Sequence, residues 1–445
     1  MKNQIEIKKV INPFNKQIEV SGDKSISIRC VLLASQAIGK SKIYNLLESE
    51  DVINSLKAIK RLGISYKKMG KYYEICGYGI NSYQTKKKLT INAGNSGTLA
   101  RLILGLLVDS KNEVKIIGDK SLSNRDFSRI TNPLKLFGAN ILSKKDTLPV
   151  KILGSEFLRP IKYKENLGSA QCKSSVLLAA LKTPGITKVL AKKSRDHTEL
   201  MFKHLKIPIK IINKNYYDII EINGPHNFQG FEYKVPADIS SSSFFIVLAL
   251  LSKKSQVVLK NVNVNNSRTG IIKILNRMNA KIILKNKKIY NGERIADIVV
   301  KSQNNLRGID CPKNLNSSAI DEFLVIFLAA AKAKGVSSFK DLSELNKKES
   351  PRLEIAIDIL NQIGIKFTRK KDNIKIYGNP NLKLSGKYII KGFKKDHRVF
   401  MMSCIAALTF GGHWKINDKN SIKTSFPSYI KLLKKLGAKI IDKSQ

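Results

Sequence analysis

Acidic residues, cysteine and long apolar runs are what this chain of 445 residues has little of. There are 34 Asp and Glu against 80 Lys and Arg, with five cysteines, five histidines and one tryptophan. Cys30, Cys76, Cys172, Cys311 and Cys404 are odd in number, scattered and without CxxC spacing. That pattern argues against a disulfide framework and a zinc site, and a reducing cytoplasm is the expected location. The run FFIVLALL is too short to span a bilayer, and the opening MKNQIEIKKVINPF has no signal-type apolar core, so no membrane partner is expected. No His, Cys and acid spacing suits a metal, and neither a metal nor another cofactor is expected.

What is abundant is positive charge, +46 overall, which would suit nucleic acid, an acidic surface or small anions. The cations are mostly lysines spread evenly among Ile and Asn, with no Arg-rich tail and no RNA-binding aromatic motif. A compositional drift explains them, and no dedicated nucleic-acid partner is expected. With 42% hydrophobic residues the chain can bury two cores, and its length suggests two domains.

The stretch SGDKSISIR before the apolar CVLLA has five relatives: GNSGTLARLILGLL, GSAQCKSSVLLAAL, ADISSSSFFIVLALL, SSAIDEFLVIFLAAA and KKDHRVFMMSCIAAL. Anchored on Ser25, Ser96, Ser169, Ser240, Asp321 and Asp396, they recur at steps of 71, 73, 71, 81 and 75 residues. Between them runs a second series, INSLKAIKRLGISY, TNPLKLFGANI, HTELMFKHLKIPI, IIKILNRMNAKI, IAIDILNQIGIKF and YIKLLKKLGAKI. Each of these reads as amphipathic helix, C-terminal break and short strand. Six copies of one α/β unit result, grouped most simply as three per domain. The first series is apolar nearly all round, which predicts buried core helices. Their first turns carry unpaired N–H groups and the positive dipole end, a setting for anions.

The polar entries supply candidates for chemistry: Lys24, Ser25 and Arg29; Asn95, Ser96, Gly97, Thr98 and Arg101; Arg125; Ser169, Gln171 and Lys173; Arg195, His197 and Glu199; Asp321 and Glu322; Lys348, Glu349 and Arg352; His397 and Arg398. Arginines from several loops can clamp phosphate or carboxylate, and Asp321 and Glu349 are able to move protons. Each has a plainer reading. Ser96, Thr98 and Ser240 suit helix caps, Arg101 and Lys173 suit cations snorkelling from apolar helices, and His197 and His397 suit hydrogen bonds to neighbouring carbonyls.

Taken in order, GDKSISIR, NAGNSGTLAR, GSAQCKSSVLLAAL, SRDHTE, DISSSSFF, IDE, KKESPR, DHR and TSFP resemble the 5-enolpyruvylshikimate-3-phosphate synthase family along nearly the whole chain. The resemblance implies an inside-out α/β barrel of two domains with six βαβαββ repeats, three per domain. They are expected at 23–237 and at 1–22 with 238–445, with the active site in the interdomain cleft. It also implies transfer of an enolpyruvyl group from phosphoenolpyruvate to the 5-hydroxyl of shikimate 3-phosphate, by addition then elimination, in a monomer. By resemblance Asp321 accepts the hydroxyl proton, Glu349 exchanges the methyl proton and Lys24 bridges both substrates. Shikimate 3-phosphate would meet Lys24, Ser25, Arg29, Ser169, Ala170, Gln171, Arg195, Asp321 and Lys348. Phosphoenolpyruvate would meet Lys24, Gly97, Arg125, Gln171, Arg352 and Arg398.

Departures from the family pattern are Ile28, where His is usual, and Pro351, where Asp is usual and whose loss would loosen Arg352. GDKS, SAQCK and RDHTE resemble the family's glyphosate-tolerant class, although Ser267 stands in NNSR where Thr is usual, and tolerant enzymes often carry Ala at the position of Gly97. Two other readings fit less well. The sister transferase acting on UDP-N-acetylglucosamine usually has a reactive Cys in the loop matching GDKSLSNRD, which has none here. A catalytically decayed nucleic-acid-binding protein would not need Lys24, Asp321 and Glu349 intact.

Overall fold

The computed structural model describes residues 3–443. The chain divides into two compact units. One is Gly22–Val235 together with the short segment Ile289–Glu293; the other comprises the residues up to Ser21, Pro236–Lys288 and the residues from Arg294 onward. The segment 289–293, the tip of a long hairpin, has no counterpart in the sequence reading.

Six apolar helices form the cores: Lys24–Ala34, Gly97–Leu106 and Ala170–Ala180 in the first unit, and Ile239–Leu251, Phe323–Ala331 and His397–Phe410 in the second. Every residue of Ile239–Leu251 is buried, as an apolar helix without a polar face requires. Five of the six start at a side-chain cap: Asp23, Ser96, Ser169, Asp238 and Asp396 each accept a hydrogen bond from a backbone N–H of the first turn. The fifth core helix, Phe323–Ala331, follows Glu322, which makes no such bond. The second series is amphipathic, as its spacing predicts. In Glu50–Arg61 the buried positions Asp51, Val52, Ser55, Leu56, Ala58 and Ile59 fall three and four apart.

The sheets repeat one plan. In Leu89–Asn92, Val114–Ile117, Val150–Leu153 and Asn140–Ser143, the first strand pairs in parallel with the second, and the second pairs antiparallel with the third. The fourth strand, which precedes the third in the chain, occupies the outer edge beside it. Lys162–Glu165, Gly185–Lys192, Tyr217–Gly224 and Ile209–Asn213 follow the same order. So do the remaining units, with substitutions of origin. Glu232–Lys234 supplies the first strand of the first unit's sheet beside Ile38–Tyr44. Asn15–Glu19 supplies that strand beside Gln256–Asn263. In the fifth sheet, parallel bridges from Arg307 and Asp310 to Lys334 and Ser338 take its place. In the sixth, Gln4–Ile7 lies between Gly411–Asn417 and Ile441–Asp442. The chain is therefore six βαβαββ units.

Where two core helices come closest, the sequence supplies glycine. A Cβ on Gly105 would lie 2.2 Å from the Ser175 carbonyl oxygen of the neighbouring core helix. Ser175 Oγ also donates to the Arg101 carbonyl at 2.9 Å, joining the same two helices. All five cysteines are free. Among the described residues no single helix is long and apolar enough to cross a membrane.

Candidate functional site

In the Gly22–Val235 unit the polar residues collect at the first turns of the three core helices. Lys24 Nζ sits 2.9 Å from Asp51 Oδ2, a carboxylate in the first turn of Glu50–Arg61. Arg29, one turn into its helix, is 4% exposed. Its Nε donates to Thr198 Oγ1 at 2.8 Å, Nη2 to Ser174 Oγ at 2.9 Å and Nη1 to the Ser25 carbonyl at 3.0 Å. The cap of this helix is Asp23, so Ser25 is not used to start it.

The second and third core helices meet through Gln171. Arg101 Nη1 donates to Gln171 Oε1 at 2.6 Å, and Gln171 Nε2 donates to Thr98 Oγ1 at 2.9 Å. Arg101 also lies over the Phe127 ring, 5.2 Å from its centroid, so it does not simply snorkel to water. A Cβ on Gly97 would meet Arg125 Nη1 at 3.1 Å and Arg101 Nη1 at 3.3 Å, which places two guanidinium groups against the bare backbone. Ser169 caps the third core helix, followed by the half-buried Ala170 and Gln171. The turn before Ser169 is ordered by Glu165, whose carboxylate accepts from Leu167 N at 3.0 Å and Gly168 N at 2.8 Å. Arg195 is half-buried, two residues before the helix His197–His204.

Two expectations from the plain reading fail here. Lys173 is fully buried and pairs with Glu199 Oε1 at 2.6 Å, because a buried ammonium needs a counter-charge. His197 Nδ1 lies 2.6 Å from Glu293 Oε1, a carboxylate and not a carbonyl.

In the other unit the charges gather around Arg352, which is 1% exposed. Its Nε donates to Asp396 Oδ2 at 2.9 Å, Nη1 to Asp321 Oδ1 at 3.1 Å and Nη2 to Glu349. Lys348 Nζ approaches Asp321 Oδ1 to 3.5 Å, and Arg398 Nη2 approaches Asp321 Oδ2 to 3.9 Å. Asp396 also accepts from Ser350 Oγ at 2.8 Å and from the Arg398 backbone N–H at 2.9 Å. Burial pushes the Asp396 carboxyl up, but Arg352 and His397 outweigh it and hold the group below the usual carboxylate range. One carboxylate thus caps the helix that carries Arg398 and fixes the side chain of Arg352.

Pro351 does not loosen Arg352: the guanidinium is held through Asp396, Asp321 and Glu349, and residue 351 takes the N-cap position of Arg352–Gln362. Ile28 is fully buried among core residues of its unit. Ser240 caps nothing with its hydroxyl; it donates to Glu322 and accepts from Arg268 Nη2 at 2.7 Å, while Asp238 is the cap. His397 Nδ1 lies 3.4 Å from Thr424 Oγ1.

Asp51, Glu165, Ser174 and Thr198 were not singled out by the sequence reading. Asp51 in a first helical turn looks like dipole compensation, and the others look like ordinary polar residues beside a helix end. Among the described residues no cluster of three or more His, Cys, Asp or Glu side chains could hold a metal ion. The first group offers fixed cations for anionic oxygens; the second offers further cations plus two carboxylates, Asp321 and Glu349, within reach of one guanidinium.

The chain as a whole is similar to known proteins of one family. The family model described as EPSP synthase (3-phosphoshikimate 1-carboxyvinyltransferase) matches residues 8–433. A 3-phosphoshikimate 1-carboxyvinyltransferase of Ruthia magnifica subsp. Calyptogena magnifica is 41% identical over 437 residues, covering 97% of this chain and 98% of that protein. The protein of the same name from Zymomonas mobilis is 36% identical, covering 96% and 95%. Among solved structures, EPSP synthase from Acinetobacter baumannii superposes with a TM-score of 0.87 at 35% identity, covering 98% of this chain and 99% of that one. The enolpyruvyl transferase NikO from Streptomyces tendae, 14% identical with a TM-score of 0.78, shares the fold.

Proposed function

Because the chain belongs to the EPSP synthase family and transfers the enolpyruvyl group of phosphoenolpyruvate to the 5-hydroxyl of shikimate 3-phosphate, we propose how its own residues divide that reaction. Both groups of residues described above act on one pair of substrates. Asp321 takes the proton of the 5-hydroxyl as its oxygen bonds to the central carbon of the enolpyruvyl group, and Glu349 delivers a proton to the methylene. In the second half Glu349 takes a proton back from the new methyl group, the bond between the central carbon and the phosphate oxygen breaks, and inorganic phosphate departs with that oxygen. Lys24 bridges the two substrates.

Ser25, Arg29, Ser169, Ala170, Gln171, Arg195 and Lys348 hold shikimate 3-phosphate. Gly97, Arg125, Gln171, Arg352 and Arg398 hold phosphoenolpyruvate, Gly97 through its backbone. The observation that carries this assignment is Arg352, which donates to both Asp321 and Glu349. A phosphoenolpyruvate carboxylate drawn to that guanidinium lies beside the two groups that must move protons. We infer further that the protein works as a cytoplasmic monomer without a nucleic-acid or membrane partner; the presence of every assigned group in one chain supports the monomer, and five free cysteines support the reducing compartment.

The test is release of inorganic phosphate from the purified protein. Release is expected only when both substrates are present, and Asp321→Ala is expected to lower kcat by about 10²–10⁴-fold, the range for loss of a general base. Full activity in that variant would remove Asp321 from its role.

A further inference from the structure

The Arg29 guanidinium is held by hydroxyl groups on two different elements. Thr198 Oγ1, on the helix His197–His204, accepts from Nε at 2.8 Å, and Ser174 Oγ, on the core helix Ala170–Ala180, accepts from Nη2 at 2.9 Å. The two oxygens are 2.7 Å from each other, so the three side chains close a hydrogen-bonded ring. All three are buried, Arg29 at 4% exposure and Ser174 and Thr198 at 0% and 1%.

The residues next in sequence to the two hydroxyls tie the same elements together. Lys173 pairs with Glu199 at 2.6 Å, with both side chains buried. An ion pair of that kind, deprived of water, fixes its elements firmly, because breaking it leaves a buried charge uncompensated. The spacing between Ser174 and Thr198, and with it the plane of Arg29, is set by this neighbour. Hydroxyls are also the partners suited to the task. A carboxylate at either position would add a counter-charge to the guanidinium, whereas a hydroxyl orients it and adds none.

We propose that Ser174 and Thr198 are positioning residues: a hydroxyl clamp that presents Arg29 in one orientation and so determines affinity for shikimate 3-phosphate, without touching phosphoenolpyruvate. This rests on the reading of Arg29 as a ligand of shikimate 3-phosphate. Bidentate recognition by arginine is lost when the plane of the group turns, so a clamp acting only through Arg29 changes one substrate's binding selectively.

The experiment is a double-mutant cycle on the full-length protein, read as KM for each substrate, kcat and melting temperature. Thr198→Val keeps the shape and removes the acceptor. It is expected to raise KM for shikimate 3-phosphate about tenfold while kcat and KM for phosphoenolpyruvate stay within about twofold, the size of effect expected when a charged donor loses its partner. Thr198→Ser is expected to restore the wild-type KM. In an Arg29→Lys background, Thr198→Val is expected to add nothing. Should Thr198→Val fold poorly, Ser174→Ala takes its place with the same readouts.

An equal rise in KM for both substrates, or a lowered melting temperature with unchanged KM, makes the hydroxyls structural and overturns the clamp. The same rise in the Arg29→Lys background as in the wild type overturns it too, since the hydroxyls then act without the guanidinium. If Arg29→Lys leaves KM for shikimate 3-phosphate unchanged, the failure lies in the assignment of Arg29 itself, and the clamp falls with it.

Discussion

Arg352 gathers Asp321, Glu349 and Asp396 around one buried cation, and the planar fork of arginine serves all three from separate nitrogens, which the single nitrogen of lysine cannot do. At this scale the sequence reading was strongest where a motif joined several residue types, as in KESPR, and weakest where a single hydroxyl or acid stood beside a helix. Ser174 and Thr198 carry no local mark, because serine and threonine near a helix start look the same whether they bond to the backbone or to an arginine 145 or 169 positions away. Gly97 was legible as a candidate, although its use was not: the absent side chain lets Arg125 and Arg101 approach the backbone. Gly97→Ala is therefore expected to displace Arg125 by a few tenths of an ångström and to raise KM for phosphoenolpyruvate about five- to tenfold, with a smaller change for shikimate 3-phosphate. Steady-state kinetics with each substrate varied in turn checks this.

Among the elements, the two helix series separated cleanly in the sequence because one is apolar all round and the other has a stripe. The full burial of Ile239–Leu251 and the three-and-four spacing in Glu50–Arg61 are those two patterns in space. What periodicity cannot give is how closely two apolar helices approach. Gly105 sets that distance, and it reads in sequence as one more small residue in an apolar run. Gly105→Ala would force its new methyl group away from the Ser175 carbonyl, now 2.2 Å from that position. The expected loss is about 1–3 kcal/mol of stability, measurable as a lower denaturant midpoint. Since the parted helices carry Gly97 and Ser169 at their first turns, activity is expected to fall with it.

For the whole molecule, the sixfold spacing revealed the number of units but not their wiring. The strand Gln4–Ile7 finds its partners at Gly411–Asn417 and Ile441–Asp442, a pairing that no local pattern announces. Glu6 in that strand is held among Lys443, His413 and Lys8. Lys443 is the main cause that brings its carboxyl from 4.5 down to about 2, against the upward push of burial. A carboxyl lowered on folding stabilises above its unfolded value, and that contribution disappears as pH falls through the folded one. Glu6→Gln is expected to lower the melting temperature by roughly 2–4 °C at pH 7, with the difference from wild type closing between pH 4.5 and about 2. Calorimetry across that range checks it.

The placement of those first strands also orders events in time. Gln4–Ile7 and Asn15–Glu19 leave the ribosome well before the strands that receive them, Gly411–Asn417 and Gln256–Asn263, which are each made more than 200 residues later. By contrast, the strand Glu232–Lys234 that completes the first sheet of Gly22–Val235 emerges at the end of that unit. During synthesis the Gly22–Val235 unit can thus close its sheets while Gln4–Ile7 still waits for Gly411–Asn417 to be translated.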